Sequence, residues 1–320
     1  MSKVKIVCIV GATASGKTDI GVKLAQRLNT EIVSADSIQV YKHLDIGSAK
    51  PDLAEQCGIT HHLIDCIEPT DDKFSVGRYR ELAANVIYDI AGKNKLPVVV
   101  GGTGLYINSL TYPLNFAEVE ADFALREYLR KIENEAPGKL HQMLYEIDPV
   151  TAERLHKNDT KRLIRAIEVY KVSGKPLSEH GNDFRNNASL ECEFSPVMIG
   201  ITMPREHLYE RINKRVDIMM QKGLLEETER LIKMNGFSRT LPAFQALGYK
   251  QLIGYLLDKT PDTLEECVEN IKRETRRFAK RQLTWFRRDT RIHWVDITAF
   301  DDKEKAVDEI CEIIGGDVSG

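Results

Sequence analysis

A chain of 320 residues that is 42% hydrophobic and 29% charged carries enough apolar material for a large core and lacks the bias of a disordered or fibrous protein. Its formal net charge of −3 excludes a uniformly basic nucleic-acid binder, so any such binding must use a local patch. The apolar run Val4–Val10 is too short for a membrane span, and the cysteines Cys8, Cys57, Cys66, Cys192, Cys267 and Cys311 form no CxxC pair, so a cytoplasmic protein with reduced thiols, no leader peptide and no membrane is expected.

In chain order, Val4–Val10 reads as a buried strand and Lys17–Leu28 as a helix. Short strands are expected at Glu31–Ser34 and His62–Cys66, a helix at Ser75–Ala91, and a buried strand at Pro97–Val100. Strands alternating with helices predict a parallel sheet covered on both faces. The pattern changes near Tyr112. From Asp122 to Val172 only helical periodicity is seen, broken at Pro137 and Pro149, and Gly174, Pro176 and the polar Gly181–Ser189 stretch read as a connection. Strand character returns at Val197–Thr202. Helices are then expected at Arg205–Lys222, Leu224–Met234, Phe244–Leu257 and Leu264–Arg281, with a last strand at Ile292–Ile297 and a closing helix. The expected fold is α/β, a P-loop NTPase-like parallel sheet with helices on both faces plus an inserted all-helical domain. Residues 1–113 and 191–320 would form the core domain and 114–190 the insertion.

Three stretches point to one crevice. Gly11, Ala12, Thr13, Ala14, Ser15, Gly16, Lys17 and Thr18 match the phosphate-loop pattern GxxxxGK(S/T) between a strand and a helix. Such a loop turns backbone N–H groups toward phosphate, adds the Lys17 charge and sets the Thr18 hydroxyl for Mg²⁺. It implies a polyphosphate ligand and leaves open whether that ligand is ATP. Asp36 and Ser37 follow the second strand at its carboxyl end, where open parallel sheets bind ligands. The same aspartate also suits an Asx turn or helix N-cap. Gly101, Gly102 and Thr103 end another strand on that edge, either as a structural turn or as a close approach to a ligand. Cys57, His61, His62 and Cys66 lie close in sequence, but their spacing is not that of a zinc finger, and the structural reading is favoured.

Lys272–Arg288 holds Lys272, Arg273, Arg276, Arg277, Lys280, Arg281, Arg287 and Arg288 against one acid, Glu274, with Phe278, Trp285 and Phe286 interleaved. Charge mixed with aromatics suits RNA; the alternative is a solvated amphipathic helix. Lys161, Arg162 and Arg165 make a smaller cluster.

Together the stretches GATASGKT (Gly11–Thr18), SADSIQVYKHLDIGSAKP (Ser34–Pro51), HHLID (His61–Asp65), PVVVGGTGLY (Pro97–Tyr106), NDTKRLIRAIEVY (Asn158–Tyr170), SGKPLSE (Ser173–Glu179), LGYKQ (Leu247–Gln251) and AKRQLTWFRR (Ala279–Arg288) resemble the tRNA dimethylallyltransferase family, also called tRNA isopentenyltransferases. The resemblance implies transfer of a dimethylallyl group from dimethylallyl diphosphate to the exocyclic amine of the adenine 3′ of the anticodon. It implies a phosphate loop that holds the donor's diphosphate with Mg²⁺ on Thr18, Asp36 as general base, Thr103 beside it and Arg215 on the diphosphate. The tRNA anticodon stem-loop would be met by Asp36, Ser37, Ile38, Gln39, Thr103, Arg126, Lys161, Arg162, Leu163, Ile164 and Arg165. Further along, it would meet Gln245, Gly248, Tyr249, Lys250, Lys280, Arg281, Gln282, Trp285 and Arg287. A monomer is expected. The sequence departs from the family at Ile38, where arginine is usual, and at Gln245 and Lys250, where arginines are common. It also lacks the C-terminal zinc finger of eukaryotic relatives, which points to the bacterial form. Outside the family, a P-loop kinase of a small metabolite or nucleotide, a prenyltransferase acting on a free adenine nucleotide, or an RNA binder with a vestigial loop would use subsets of these features.

Overall fold

The structure, a computed structural model, describes residues 3–113, 122–180 and 192–316. It divides into two compact units, Met1–Thr111 with Glu193–Gly320, and Tyr112–Cys192. The polar stretch Gly181–Ser189 lies outside the described residues.

The first unit opens with β1 (Val4–Gly11), which leads through the glycine loop into α1 (Lys17–Arg27). Then come β2 (Ile32–Ser34) and a single helical turn, α2 (Leu53–Gln56), closed by a capping box between Asp52 and Glu55. The next strand, β3, is only His61–His62. It does not run to Cys66, because Leu63 and Asp65 take positive φ angles of 62° and 52°, which no strand allows. The Asp65 and Cys66 N–H groups instead donate to the carbonyls of Gln39 and Val40. His62 Nε2 pairs with Glu31 at 2.8 Å and His61 Nδ1 with the Ile59 carbonyl at 2.9 Å. Helix α3 (Val76–Gly92), capped by Ser75, and β4 (Val98–Gly101) follow. Helix α4 (Gly104–Thr111) was not expected: its mixed face of Tyr106, Ile107, Ser109, Leu110 and Thr111 is all buried, so it carries no amphipathic signature.

The second unit contains α5 (Phe123–Glu135), α6 (Lys139–Ile147), α7 (Pro149–Arg154) and α8 (Thr160–Ser173). The breaks at Pro137 and Pro149 are present, and a further one precedes Asp159, whose carboxylate caps α8. Leu129, Leu140, Leu144, Leu163, Ile164 and Ile167 form its core. Glu168, fully buried, accepts from Arg126 Nε (2.7 Å), Arg165 Nη1 (2.6 Å) and the Asp122 N–H (2.9 Å). Burial works to raise its carboxyl pKa, but these donors hold it below the ordinary value.

The chain re-enters the first unit at β5 (Phe194–Thr202). Helices α9 (Arg205–Gln221) and α10 (Leu224–Ile232) follow. The single helix expected at Phe244–Leu257 is a short 3₁₀ turn, Ala243–Gln245, then α11 (Tyr249–Asp258). The break falls at Gly248, with φ 90° and ψ −64°, where the Gln251 side chain caps the new start. Helix α12 (Leu264–Phe286) runs five residues past its expected end, and β6 (Ile292–Asp296) and α13 (Lys303–Gly316) close the chain.

Among the described residues, six strands pair in parallel in the order β3-β2-β4-β1-β5-β6. Alternation along β1 builds both faces: Ile6, Cys8 and Val10 join one core cluster, Val7 and Ile9 the other. Helices α1 and α13 cover the second face through Ile20, Leu24, Ala306 and Ile310. This is the sandwich that the strand-helix alternation predicts.

Candidate active site

The phosphate loop follows the buried central strand. Ala14 and Gly16 take left-handed φ angles of 63° and 93°, and these turn the chain into α1 with Gly16 as its cap. Lys17 lies folded back on the loop, donating to the Ala12 carbonyl at 3.3 Å. Lys17 is half-buried where it lines the cleft, and desolvation lowers its pKa to about 8, against the raising influence of the Asp36 carboxylate and with a further lowering from Arg215. A bound oxyanion would supply the countercharge that this ammonium lacks.

Two further turns meet the loop at the carboxyl edge of the sheet. The Asp36 carboxylate accepts from the N–H groups of Ile38 (2.9 Å) and Gln39 (3.3 Å), so it does form an Asx turn, and it also lines the cleft with Lys17 and Thr18. The two readings of this residue are compatible. Thr103 Oγ1 accepts from the Ser37 N–H at 3.0 Å and donates to Ser37 Oγ at 3.3 Å, tying the glycine turn to the Asp36 turn. The glycines are required there. A Cβ on Gly101 would overlap the Ala35 carbonyl, and one on Gly104 the Trp285 ring.

Gln282, on α12, joins these parts. Its Oε1 accepts from the Thr13 N–H at 2.8 Å and its Nε2 donates to the Gly102 carbonyl at 2.8 Å. The resemblance names Gln282 as an RNA contact. The structure instead buries it, 7% exposed, between the phosphate loop and the glycine turn.

The cleft has a volume of about 840 Å³. From α9 it receives Arg211, Lys214 and Arg215, one helical face at spacings i, i+3 and i+4. The Arg211 guanidinium lies 3.6 Å from where a Cβ on Gly16 would stand. Burial lowers the Arg215 pKa, as does the charge of Arg211. Arg215 was expected; Arg211 and Lys214 were not, although the RINKR spacing carried the signal. Thr18 and Asp36 offer hard oxygen donors on one cavity, which suits Mg²⁺, an ion that keeps one or two protein ligands and takes the rest from phosphate and water. Among the described residues no group of three or more His, Cys, Asp or Glu could hold a metal.

The other expected RNA contacts divide. Ser37, Ile38 and Gln39 lie on the Asp36 turn, and Gln39 lines the cleft. Lys161, Arg162, Gln245, Lys250, Lys280, Arg281 and Arg287 are exposed. Trp285, half-buried, packs against the core below Gly104. Leu163, Ile164 and Tyr249 must be corrected: all three are core residues, 0%, 4% and 0% exposed, because they face inward on helices whose charged neighbours face out. Gly248 is buried at the break before α11. Arg126 and Arg165 are engaged with Glu168. Along α12, Lys272 bridges to Asp217 and Glu269, Arg276 donates to Asn213, and Arg277 pairs with Glu274.

A family model described as IPP transferase matches residues 39–289. The chain is 50% identical over 306 residues to the tRNA dimethylallyltransferase of Acetivibrio thermocellus, covering 94% of this chain and 95% of that one. It is 45% identical to the enzyme of the same name from Alkaliphilus oremlandii, covering 98% of each. Among solved structures, the tRNA isopentenylpyrophosphate transferase of Bacillus halodurans superposes with a TM-score of 0.72 at 42% identity, covering 98% of this chain and 96% of that one. A eukaryotic dimethylallyltransferase acting on tRNA gives 0.81 at 28% identity, covering 98% and 80%.

Proposed function

Because this chain belongs to the IPP transferase family, we propose that its cleft transfers a dimethylallyl group from dimethylallyl diphosphate to the exocyclic amine of the adenine 3′ of the anticodon in tRNA. The observation that carries this reading is the union of a phosphate loop, an aspartate turn and a glycine turn on one cleft, stitched to a basic helix by Gln282.

The adenine amine is a weak nucleophile, since its lone pair is delocalised into the ring. The allylic carbon compensates, because its bond to oxygen can break early toward a stabilised cation. The nitrogen then bonds to that carbon while diphosphate departs with the carbon–oxygen electron pair. Phosphate-loop N–H groups, Lys17 and Arg215 neutralise the leaving charge. Asp36 accepts the amine proton as the new bond forms. Thr103 holds the Ser37 backbone and so steadies the turn that presents Asp36. Thr18 would hold Mg²⁺, which would supply charge stabilisation to the departing diphosphate. The target base must leave the anticodon stack to reach the cleft, which costs a few kcal/mol. Contacts from Lys250, Lys280, Arg281 and Arg287 to RNA phosphates offset that cost. The protein would act as a cytoplasmic monomer; among the described residues no helix is long and apolar enough to cross a membrane.

Incubation with Mg²⁺, tRNA and allyl-labelled dimethylallyl diphosphate should move label into tRNA and release diphosphate without ATP consumption. Label entering AMP or ATP instead of tRNA, or ATP-dependent phosphorylation of a small acceptor, would overturn the assignment.

A further inference from the structure

Glu227, on α10, takes no part in the chemistry above, yet it is buried to 3% exposure and saturated with donors. Its carboxylate accepts from the N–H groups of Asp45 (3.1 Å), Ile46 (3.0 Å) and Gly47 (3.2 Å), and from the Tyr249 hydroxyl at 2.6 Å. The Gly47 N–H also donates to the Tyr249 hydroxyl oxygen at 3.1 Å. Three successive N–H groups converging on one acid is the geometry of an anion-binding nest, here filled from inside the protein. Burial first, and then Glu227, holds the Tyr249 hydroxyl pKa well above its ordinary value, so it stays a donor. A Cβ on Gly47 would meet the Tyr249 ring at 2.6 Å. The turn is held by charge and by shape.

What the turn holds is the wall of the cleft. Ile46, Ser48, Ala49 and Lys50 line that wall. The carbonyls of Ser48 (3.3 Å) and Ala49 (3.1 Å) accept from Gln39 Nε2, and the Gln39 N–H donates to the Asp36 carboxylate. Lys50 closes the same loop on itself, donating to the Tyr41 carbonyl at 2.7 Å and pairing with Asp45 and Asp65. Hydrogen bonds joined by short stretches of covalent chain therefore link α10 and α11, through the Asp45–Ala49 segment and Gln39, to Asp36.

We propose that Glu227 and Tyr249 are positioning residues for the transfer reaction, fixing the Asp45–Gly47 turn and, through Gln39, the placement of Asp36. A buried acid is no asset to stability in itself, since well-packed apolar side chains often do as well. A fully satisfied polar network instead specifies one geometry. The proposal rests on the reading of Asp36 as proton acceptor in allyl transfer to tRNA.

Tyr249→Phe removes one oxygen and keeps the ring against Gly47. In the full-length protein, with labelled dimethylallyl diphosphate and tRNA, kcat at saturation should fall about tenfold or more, as expected for a reacting group displaced by a fraction of an ångström. The diphosphate KM and tRNA Kd should each change less than about threefold, because the lost interaction acts in the transition state. Glu227→Gln, which keeps the shape but turns one acceptor into a donor, should show the same split. The double variant should be no slower than the worse single one, since both act through one turn. If Glu227→Gln does not fold, Tyr249→Phe decides the matter alone. Unchanged kcat in folded Tyr249→Phe, or weaker tRNA binding with kcat intact, overturns the positioning role. A wild-type protein that places no label in tRNA overturns instead the reading of function beneath it.

Discussion

Asp36 does two jobs with one carboxylate, and substitutions can separate them. Its Oδ1 anchors the N–H groups of Ile38 and Gln39, which an asparagine oxygen can also do, whereas only the carboxylate can take a proton. Asp36→Asn and Asp36→Ala should therefore both lower kcat by about 10²–10⁴-fold, the range for loss of a general base, with tRNA Kd nearly unchanged. A normal kcat in Asp36→Asn would make the residue a turn anchor only. Thr103→Ala, which loses the tie to Ser37, should act in the same direction and less severely. Lys17 gives a second residue-scale expectation. Burial has lowered its pKa to about 8, so its charge is present below that pH and is lost as pH rises through it. A bound diphosphate favours the ammonium and raises its pKa again, so near and above pH 8 binding must take up a proton and weaken with rising pH. Calorimetry with dimethylallyl diphosphate, whose phosphates are already ionised at this pH, in buffers of different ionisation enthalpy measures that uptake; none at pH 8.5 would contradict it.

At the scale of elements, α12 works on two sides. Inward, Gln282 bridges the loop after β1 to the turn after β4; outward, Lys280 and Arg281 stand exposed. Lys280→Ala or Arg281→Ala should weaken tRNA binding and flatten its log–log salt dependence by about one unit, with saturated turnover kept. Lys272, already bridged to Asp217 and Glu269, should show a smaller change in slope. If neither exposed residue alters the slope in a folded protein, the RNA surface lies elsewhere, with the Lys161–Arg165 cluster the next to test. The inward side was not legible in the sequence. Period and composition located α12, β1, β4 and the phosphate loop, because each signal is local. That Gln282 would reach residues 269 and 180 positions away, or that Tyr249 would turn inward beside an exposed Lys250, depends on tertiary packing that no window reports. The truncation of β3 and the break before α11 escaped for a related reason. Positive φ at Leu63 and Asp65 is imposed by bonds to the distant Gln39–Val40 segment, and Gly248 interrupts an otherwise helical pattern.

Across the whole molecule, acid stability should trace in part to the sheet edge. Glu31, just before β2, is held by His62 and, from beyond α3, by Lys93 and Lys95. The bond to His62 leads the causes that lower its pKa from 4.5 to about 2, against the raising effect of burial. A depressed carboxyl pKa contributes stability that is full above the unfolded value. That stability is lost as pH falls from about 4.5 toward about 2. Glu31→Gln should therefore narrow the gap in urea midpoint between pH 7 and pH 3; an unchanged gap would place the acid sensitivity elsewhere. The central pairing has a further consequence. Val4 lies opposite Phe194 in the register of β1 with β5, so on the ribosome the first strand waits for the chain beyond the second unit before its neighbour exists. Until then one edge of β1 is an open template for pairing with other nascent chains. The contiguous helices of Tyr112–Cys192, rich in local contacts, can form during that interval. Chains that terminate before β5 should consequently be captured by chaperones and proteases, whereas protease resistance should appear only once the chain extends through α13, whose Ala306 and Ile310 complete the second face of the sheet.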